Sequence, residues 1–149
     1  MHILVHDLDE GIVTYQDAIN ASGSYLLEKD YIQIEYIAAC INREKSYPTG
    51  LLMSNGIGIA IPHANYQLVK INSISIVRSI NGVTFGEMED SSSKVSCQLI
   101  FNLALATSDQ HLSILKRLFT LFQDESFLNK CQQFNCKQTE EFIIQQLKL

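Results

Sequence analysis

The sequence predicts an α/β protein, a three-layer-like α/β sandwich in which helices flank a mixed β-sheet. Two observations favour this class: helical spacing of apolar residues at both ends of the chain, and strand-like alternation in its middle. The chain has 149 residues, 46% of them hydrophobic and 18% charged, so it is large enough to bury one sizeable core. Because no repeat or linker interrupts it, we expect a single domain over residues 1–149.

The first part of the chain is predicted to contain a short strand and two helices. His2 and His6 belong to the strand, on one of its faces. Apolar residues then recur at helical intervals over residues 14–29 and again from 33 to about 45. Pro48 ends the second helix, because a proline ring blocks its continuation.

Strand periodicity dominates the middle of the chain. Large and small apolar residues alternate over residues 57–61, as in a strand buried on both faces, and β-branched residues alternate over 71–80. The Asn-Gly pair at 81–82 predicts a tight turn into a further strand at 83–85. Residues 97–105 are another apolar strand. A block of strands between helices favours a sandwich over a regular βαβ winding.

Three helices are predicted after the strands. The first begins near Ser108 and has apolar residues along one face, and shorter helices follow at about 125–134 and 139–147. Together with the two helices of the first part, they are enough to cover both faces of a sheet.

Composition and charge exclude several classes of function. The net charge is −5 and no run of Lys or Arg occurs, which argues against nucleic-acid binding and against an electrostatic membrane anchor. No segment has the roughly 18 consecutive apolar residues that a membrane helix needs, and no signal peptide is visible. We therefore expect a cytoplasmic protein. Its cysteines lack metal-site or C-x-x-C spacing, so we expect packed, reduced thiols: Cys40, Cys97, Cys131 and Cys136.

The most informative segment surrounds His63. Pro62 lacks an N–H group and so marks the end of the strand, which presents His63 at the tip of a rigid element with an open face toward solvent. This position suits a reactive imidazole. It also suits a structural histidine that only bonds a nearby carbonyl. The segment reads Asn55-Gly56-Ile57-Gly58-Ile59-Ala60-Ile61-Pro62-His63-Ala64-Asn65.

Polar groups before this strand are suited to an anion. Arg43 lies on the last turn of the second helix, and a guanidinium donates to two phosphoryl oxygens at once. The alternative is that Arg43 only interacts with the helix macrodipole. Thr49 and Gly50 form either a simple turn or a site that offers a hydroxyl and backbone N–H groups.

A second histidine follows the strands. Ser108 is predicted to cap the next helix, which places His111 in the first turn, where free N–H groups and the positive end of the dipole suit a phosphate. The alternative is that His111 packs in the core beside Leu115 and Leu118.

These segments resemble the fructose/mannitol-type enzyme IIA family of the bacterial sugar phosphotransferase system, over nearly the whole chain. The region from Arg43 to Gly50, and its longer spacing to His63, is similar to the galactitol-type subgroup. Asn55 and Ile57 differ from polar residues of many mannitol-type members, so no carboxylate is assigned on this strand. The segments that carry the resemblance are Gly58-Ile59-Ala60-Ile61-Pro62-His63-Ala64, Arg43-Glu44, Thr49-Gly50 and His111 to Leu115.

The resemblance implies a phosphoryl carrier that uses no metal and no cofactor. His63 would be phosphorylated by the phosphohistidine of the carrier protein HPr and would pass the group to a cysteine of its cognate enzyme IIB. The membrane enzyme IIC would then act on galactitol or a related sugar or polyol. His111 and Arg43 would hold the phosphoryl oxygens, with support from Thr49 and Gly50.

A carrier that docks two partners in turn needs a modest apolar rim around its phosphorylated residue. Tyr66, Leu68 and Val69 follow His63 closely and are candidates for that rim. They are equally compatible with ordinary core positions.

Two other functions are open at this stage. The first is an enzyme IIA-like regulatory module in which phosphorylation of His63 is a signal, although a free-standing chain without a DNA-binding segment favours the carrier. The second is a metal site formed by His2, His6, His63 and His111, against which stands the lack of a carboxylate or cysteine at a suitable offset.

Overall fold

The computed structural model describes residues 1–148, without the side chain of Gln110, and contains one mixed sheet. Its strands are β1 His2–Asp7, β2 Leu51–Leu52, β3 Gly58–Ala60, β4 Ser73–Gly86 and β5 Lys94–Ala104. They lie in the order β1-β4-β5-β3-β2. The β1–β4 and β3–β5 pairs are parallel, whereas β2–β3 and β4–β5 are antiparallel. The last residue of the predicted domain, Leu149, lies outside the described residues.

All five helices that the sequence predicts are present. They are α1 Tyr15–Glu28, α2 Tyr36–Ser46, α3 Ser108–Phe122, α4 Glu125–Gln133 and α5 Cys136–Gln146, and a short 3-10 helix spans Tyr66–Leu68. Ser108 is the first helical residue of α3 rather than its cap. None of the helices in residues 1–148 combines the length and hydrophobicity needed to cross a bilayer.

Two hydrophobic cores lie on opposite faces of the sheet, because successive strand residues point to opposite sides. In β5, Leu99, Phe101 and Leu103 belong to one core, whereas Ile100 and Ala104 belong to the other. The first core includes residues of α3, α4 and α5, and the second includes residues of α1 and α2. The predicted α/β sandwich with a mixed sheet between helices is thus confirmed. Three of the four cysteines are buried, and Cys136 is half-buried.

The predicted turn at residues 81–82 is wrong, because β4 runs through it. Arg78 pairs with Leu99 and Val83 with Cys97, so both halves of β4 pair with the same strand and the register shifts between them. Gly82 has a φ of +88°, a conformation that glycine adopts readily. The Asn-Gly pair therefore forms an irregularity within one long strand. β2 was not predicted, since two residues are too few for a periodic pattern.

Candidate functional site

His63 lies just beyond β3 and is fixed to the centre of the sheet. The Leu103 N–H donates to the Pro62 carbonyl at 2.9 Å, and His63 itself forms a parallel bridge with Leu103. Pro62 ends the ladder of β3 because it has no N–H to donate. His63 therefore stands at a rigid strand end, where the sequence places it.

The imidazole of His63 is oriented by the chain that carries it. Its Nδ1 lies 2.8 Å from the Ile61 carbonyl oxygen. A carbonyl can only accept, so Nδ1 carries the proton and Nε2 keeps the free lone pair. Burial lowers the pKa of His63 and the charge of Arg43 lowers it further, while the bond to Ile61 acts in the opposite direction. At neutral pH the ring is therefore mostly neutral, with a free lone pair on Nε2.

His111 places a second imidazole beside the first. The two ring centroids are 5.8 Å apart, with the planes tilted by 55°. Nε2 of His111 is buried and has no hydrogen-bond partner among the described residues. Burial lowers the pKa of His111, as do His63 and the charge of Arg43. A buried polar atom without a partner is uncommon and costly, and this nitrogen is therefore free to bond a ligand atom.

Arg43 supplies a positive charge to the site. Its side chain is exposed on the last turn of α2, with the guanidinium carbon 5.5 Å from the centre of the Tyr47 ring. It forms no ion pair with a carboxylate among the described residues. Arg43, His63 and His111 line one cavity of about 320 Å³. The structure therefore brings together the three residues that the sequence selects, around a space open to an anion.

Thr49 and Gly50, which the resemblance implies as support for the phosphoryl group, are bonded to other parts of the chain. The Thr49 hydroxyl donates to Glu44 at 2.9 Å and accepts the Ile61 N–H at 3.1 Å. The Gly50 N–H donates to the Gly86 carbonyl at 2.9 Å, and a Cβ at Gly50 would lie 2.5 Å from that oxygen. These groups hold the chain that surrounds the site.

The predicted rim is only partly at the surface. Tyr66 is 40% exposed and lines the cavity of about 320 Å³. The prediction is wrong for Val69, which is buried in the core on the α1–α2 face because its backbone pairs with Ile32. Leu68 is half-buried against the same core, because the 3-10 turn that begins at Tyr66 leads the chain back inward.

Sequence reasoning missed other exposed apolar side chains around the site. A second cavity of about 430 Å³ also contains Arg43 and His63 and is lined by Tyr47 and Met88. Leu112, next to His111, is 56% exposed. The only signal for Tyr47 and Leu112 was their proximity in sequence to Arg43 and His111, and Met88 had none.

The four histidines do not gather at one point. His2 stacks on Tyr31 with ring centroids 4.8 Å apart, and His6 stacks on Tyr25 at 3.5 Å. Within residues 1–148, no three His, Cys, Asp or Glu side chains are grouped as metal ligands. The histidines of β1 therefore belong to aromatic packing, which separates them from the pair formed by His63 and His111.

The family follows from a match over almost the entire chain. A family model described as the phosphoenolpyruvate-dependent sugar phosphotransferase system, EIIA 2, matches residues 4–148. The chain belongs to this family. The resemblance to fructose/mannitol-type enzyme IIA components is thus confirmed, and so is the assignment to the sugar phosphotransferase system.

Curated relatives of this enzyme IIA domain differ in architecture. It is 30% identical over 120 residues to the mannitol-specific EIICBA component of Escherichia coli, covering 78% of this chain and 17% of that protein. It is 34% identical over 116 residues to the transcriptional regulator ManR of Bacillus subtilis, covering 78% of this chain and 15% of that protein. It is 29% identical over 111 residues to the galactitol-specific EIIA component of Escherichia coli, covering 74% and 73%. The chain thus spans less than a fifth of the first two.

Solved structures have the same fold as this enzyme IIA domain. The complex of enzyme IIA and phosphorylated enzyme IIB for mannitol from Escherichia coli matches with a TM-score of 0.69 and 23% identity, covering 98% of this chain and 93% of that chain. The crystal structure of mannitol IIA from Escherichia coli gives the same TM-score and identity, covering 99% and 96%. Both matches support the α/β fold.

Proposed function

We propose that this enzyme IIA domain carries a phosphoryl group on Nε2 of His63. The observation that supports this most directly is the bond from Nδ1 to the Ile61 carbonyl, because it fixes the tautomer and leaves Nε2 as the nucleophile. The Nε2 lone pair forms a bond to phosphorus as the N–P bond of the donor, the phosphohistidine of HPr, breaks. The Ile61 carbonyl stabilises the positive charge that develops on the ring.

The onward step reverses this geometry. A cysteine thiolate of the cognate enzyme IIB attacks phosphorus, the S–P bond forms, and the pair of electrons of the breaking N–P bond returns to Nε2. No proton has to leave His63, because Nδ1 keeps its proton throughout. The solved complex of a structural neighbour with phosphorylated enzyme IIB supports the assignment of this partner class.

Arg43 and His111 are assigned to the phosphoryl oxygens. Phosphoryl transfer requires positioning and neutralisation of charge on the transferred group, and preorganised donors in a partly buried site stabilise that charge best. The guanidinium contributes the positive charge, and the buried Nε2 of His111, which has no partner among the described residues, contributes an N–H donor.

Docking is assigned to exposed apolar side chains that line the two cavities or follow His111 in the sequence. A surface that binds HPr and enzyme IIB in turn needs apolar contact of modest area, since each complex must dissociate quickly. The exposed apolar residues are Tyr47, Tyr66, Met88 and Leu112.

We assign the pathway to galactitol or a related sugar or polyol. The segment from Arg43 to Gly50 supports this assignment, as does the galactitol-specific EIIA relative, most of whose length the chain covers. The test is transfer of label from this protein to purified enzyme IIB of galactitol, mannitol and fructose systems. We expect the fastest transfer with the galactitol type, and a faster rate with another type would replace this assignment.

The central experiment uses enzyme I, HPr and labelled phosphoenolpyruvate. We expect an acid-labile, base-stable label on the wild-type protein and none on His63→Ala. His2→Ala is the matched control, since His2 is another of the four histidines and packs on Tyr31. The NMR scalar coupling between phosphorus and the ring nitrogens of His63 will identify which nitrogen is phosphorylated. Label retained by a folded His63→Ala protein would refute the proposal.

A regulatory module is the second candidate, favoured by the similarity to the transcriptional regulator ManR. A carrier and a signalling domain differ in the fate of the phosphoryl group. In the carrier, label on His63 is lost within seconds of adding the cognate enzyme IIB. Label that is stable to every enzyme IIB tested would favour the regulatory module.

A further inference from the structure

A buried carboxylate next to Arg43 has no part in the mechanism above. Glu44 is 4% exposed, on the last part of α2. Its Oε2 accepts the Thr49 N–H at 2.6 Å, and its Oε1 accepts the Thr49 hydroxyl at 2.9 Å. Removing a carboxylate from water is costly, so a buried glutamate bonded on both oxygens to one residue requires a reason.

The Thr49 hydroxyl links this carboxylate to the strand end that carries His63. The Ile61 N–H donates to Thr49 Oγ1 at 3.1 Å. The carbonyl of the same residue accepts the His63 Nδ1–H at 2.8 Å. Both backbone groups of Ile61 are therefore used, one to anchor the residue and the other to orient the imidazole.

The antiparallel register explains why a side chain is needed there. Leu51 pairs with Ile59, so continuation of the ladder would place the backbone of Thr49 opposite Ile61. The ladder ends at Leu51. The N–H of the neighbouring Gly50 donates to the carbonyl of Gly86, the last residue of β4, and the Gly50 carbonyl accepts the Met88 N–H. The Thr49 hydroxyl thus replaces a backbone acceptor, and Glu44 fixes that hydroxyl.

We propose that Glu44 is a positioning residue for His63, acting through the Thr49 hydroxyl and Ile61. The inference rests on the proposed role of His63 as the phosphoryl acceptor. Without this connection the backbone at Ile61 can shift, and the carbonyl that accepts the His63 Nδ1–H moves with it. Misplacement of a reacting group by about 1 Å can cost about a hundredfold in rate.

The positioning role of Glu44 requires its hydrogen bonds with Thr49 and does not require its negative charge. Burial raises the pKa of Glu44 to about 7, against the bonds from Thr49 and the charge of Arg43, which lower it. Near neutral pH the carboxyl is therefore protonated in part of the molecules. A protonated carboxyl still accepts the Thr49 N–H and still bonds the hydroxyl, so glutamine is expected to replace it.

The experiment compares two matched pairs of variants. Thr49→Val removes the hydroxyl at nearly constant shape, and Thr49→Ser retains it. Glu44→Ala removes the carboxylate, and Glu44→Gln retains both contacts. The ring nitrogen chemical shifts of His63 are measured by NMR in the unphosphorylated proteins. The rate of labelling from phosphorylated HPr is measured in single turnovers as a function of donor concentration.

For Thr49→Val we expect a shift of His63 toward the tautomer with the proton on Nε2, and a maximal rate at least tenfold lower. The donor concentration at half-maximal rate should be unchanged, because the docking surface is intact. Thr49→Ser and Glu44→Gln should resemble the wild type. Thr49→Val is the decisive variant if Glu44→Ala does not fold.

A folded Thr49→Val protein with the wild-type tautomer and rate would overturn the proposal. An equal loss in Thr49→Ser would also overturn it, because that variant keeps the hydroxyl. The nitrogen shifts are recorded without any phosphoryl donor. A wild-type protein that accepts no label would therefore refute the proposed function alone, while the shifts would still decide whether Glu44 and Thr49 orient the ring.

Discussion

Two arginines of this enzyme IIA domain show opposite uses of the same side chain. The Arg78 side chain is 11% exposed and donates to both oxygens of Asp7, at 2.7 and 3.2 Å. It also donates to the carbonyl groups of Cys131 and Phe134. Arg78 thereby connects β4 with β1 and with the end of α4.

Arg43 has none of these partners. It is exposed, forms no ion pair with a described carboxylate, and lies beside two histidines whose pKa values its charge lowers. N–H donors of a guanidinium without a partner in the protein contribute little to the stability of the fold. The fully bonded Arg78 therefore belongs to the structure, whereas the donors of Arg43 are available to a ligand.

The largest effect is expected for Arg43→Ala on phosphoryl transfer. Loss of a preorganised donor at a developing charge typically slows catalysis by about 10²- to 10³-fold, and the melting temperature should hardly change. Arg43→Lys should recover only part of the rate, because an ammonium lacks the forked geometry. Single-turnover labelling from phosphorylated HPr measures both. A wild-type rate in Arg43→Ala would leave Arg43 with only a helix-end role.

The reverse result is expected for Arg78→Ala. Truncation removes the guanidinium donor from the partly buried carbonyl groups of Cys131 and Phe134, of which Phe134 keeps the Thr139 hydroxyl. The free energy of unfolding should fall by about 2–4 kcal/mol. The pair with Asp7 contributes little of this, because Asp7 is 64% exposed. Denaturant unfolding measures the loss. Labelling of the folded fraction should stay at the wild-type rate. A loss of labelling in folded Arg78→Ala protein would show that Arg78 also contributes to phosphoryl transfer.

Much of this domain was predictable from the sequence, for reasons that individual elements show. The run from Gly58 to Ile61 alternates large and small residues, and it lies between the two cores. The proline that follows it fixes where His63 stands. Arg43 has a guanidinium at the end of a helix, and His111 has an imidazole in the first turn of another. These two properties are enough to select both residues as candidates for anion binding.

The features that were missed depend on tertiary contacts. The irregularity in β4 lies between two halves of the strand that both pair with β5, and no local pattern encodes this pairing. Val69 is buried through its pairing with Ile32, although its spacing from His63 suggested the surface. The bonds from Thr49 to Glu44 and Ile61 connect a helix end to a strand end, and no local pattern predicts them.

Glu44 differs from both arginines, because it is buried beside Arg43 with both carboxylate oxygens bonded to Thr49. Its folded pKa is raised to about 7 from the ordinary value of 4.5. Between these values the folded state binds more protons than the unfolded state, so the contribution of Glu44 to stability falls as pH rises. Relative to the wild type, Glu44→Gln should therefore gain about 2 kcal/mol between pH 5 and pH 7.

Urea unfolding of both proteins across this pH range measures the difference. Histidines whose pKa is lowered by burial act in the opposite direction, but they are common to both proteins and cancel. A difference that does not change with pH would show that Glu44 has an ordinary pKa in the folded protein.

The smallest effect is expected for His111→Ala, which should slow transfer to enzyme IIB about tenfold by removing one of several donors to the phosphoryl oxygens. His111→Gln should recover part of the rate, because the amide keeps an N–H donor. His6 provides a matched control. One of its ring nitrogens is also buried without a partner among the described residues, but it packs on Tyr25. If His6→Ala slows transfer as much as His111→Ala, an unpaired buried nitrogen does not by itself mark the reactive site.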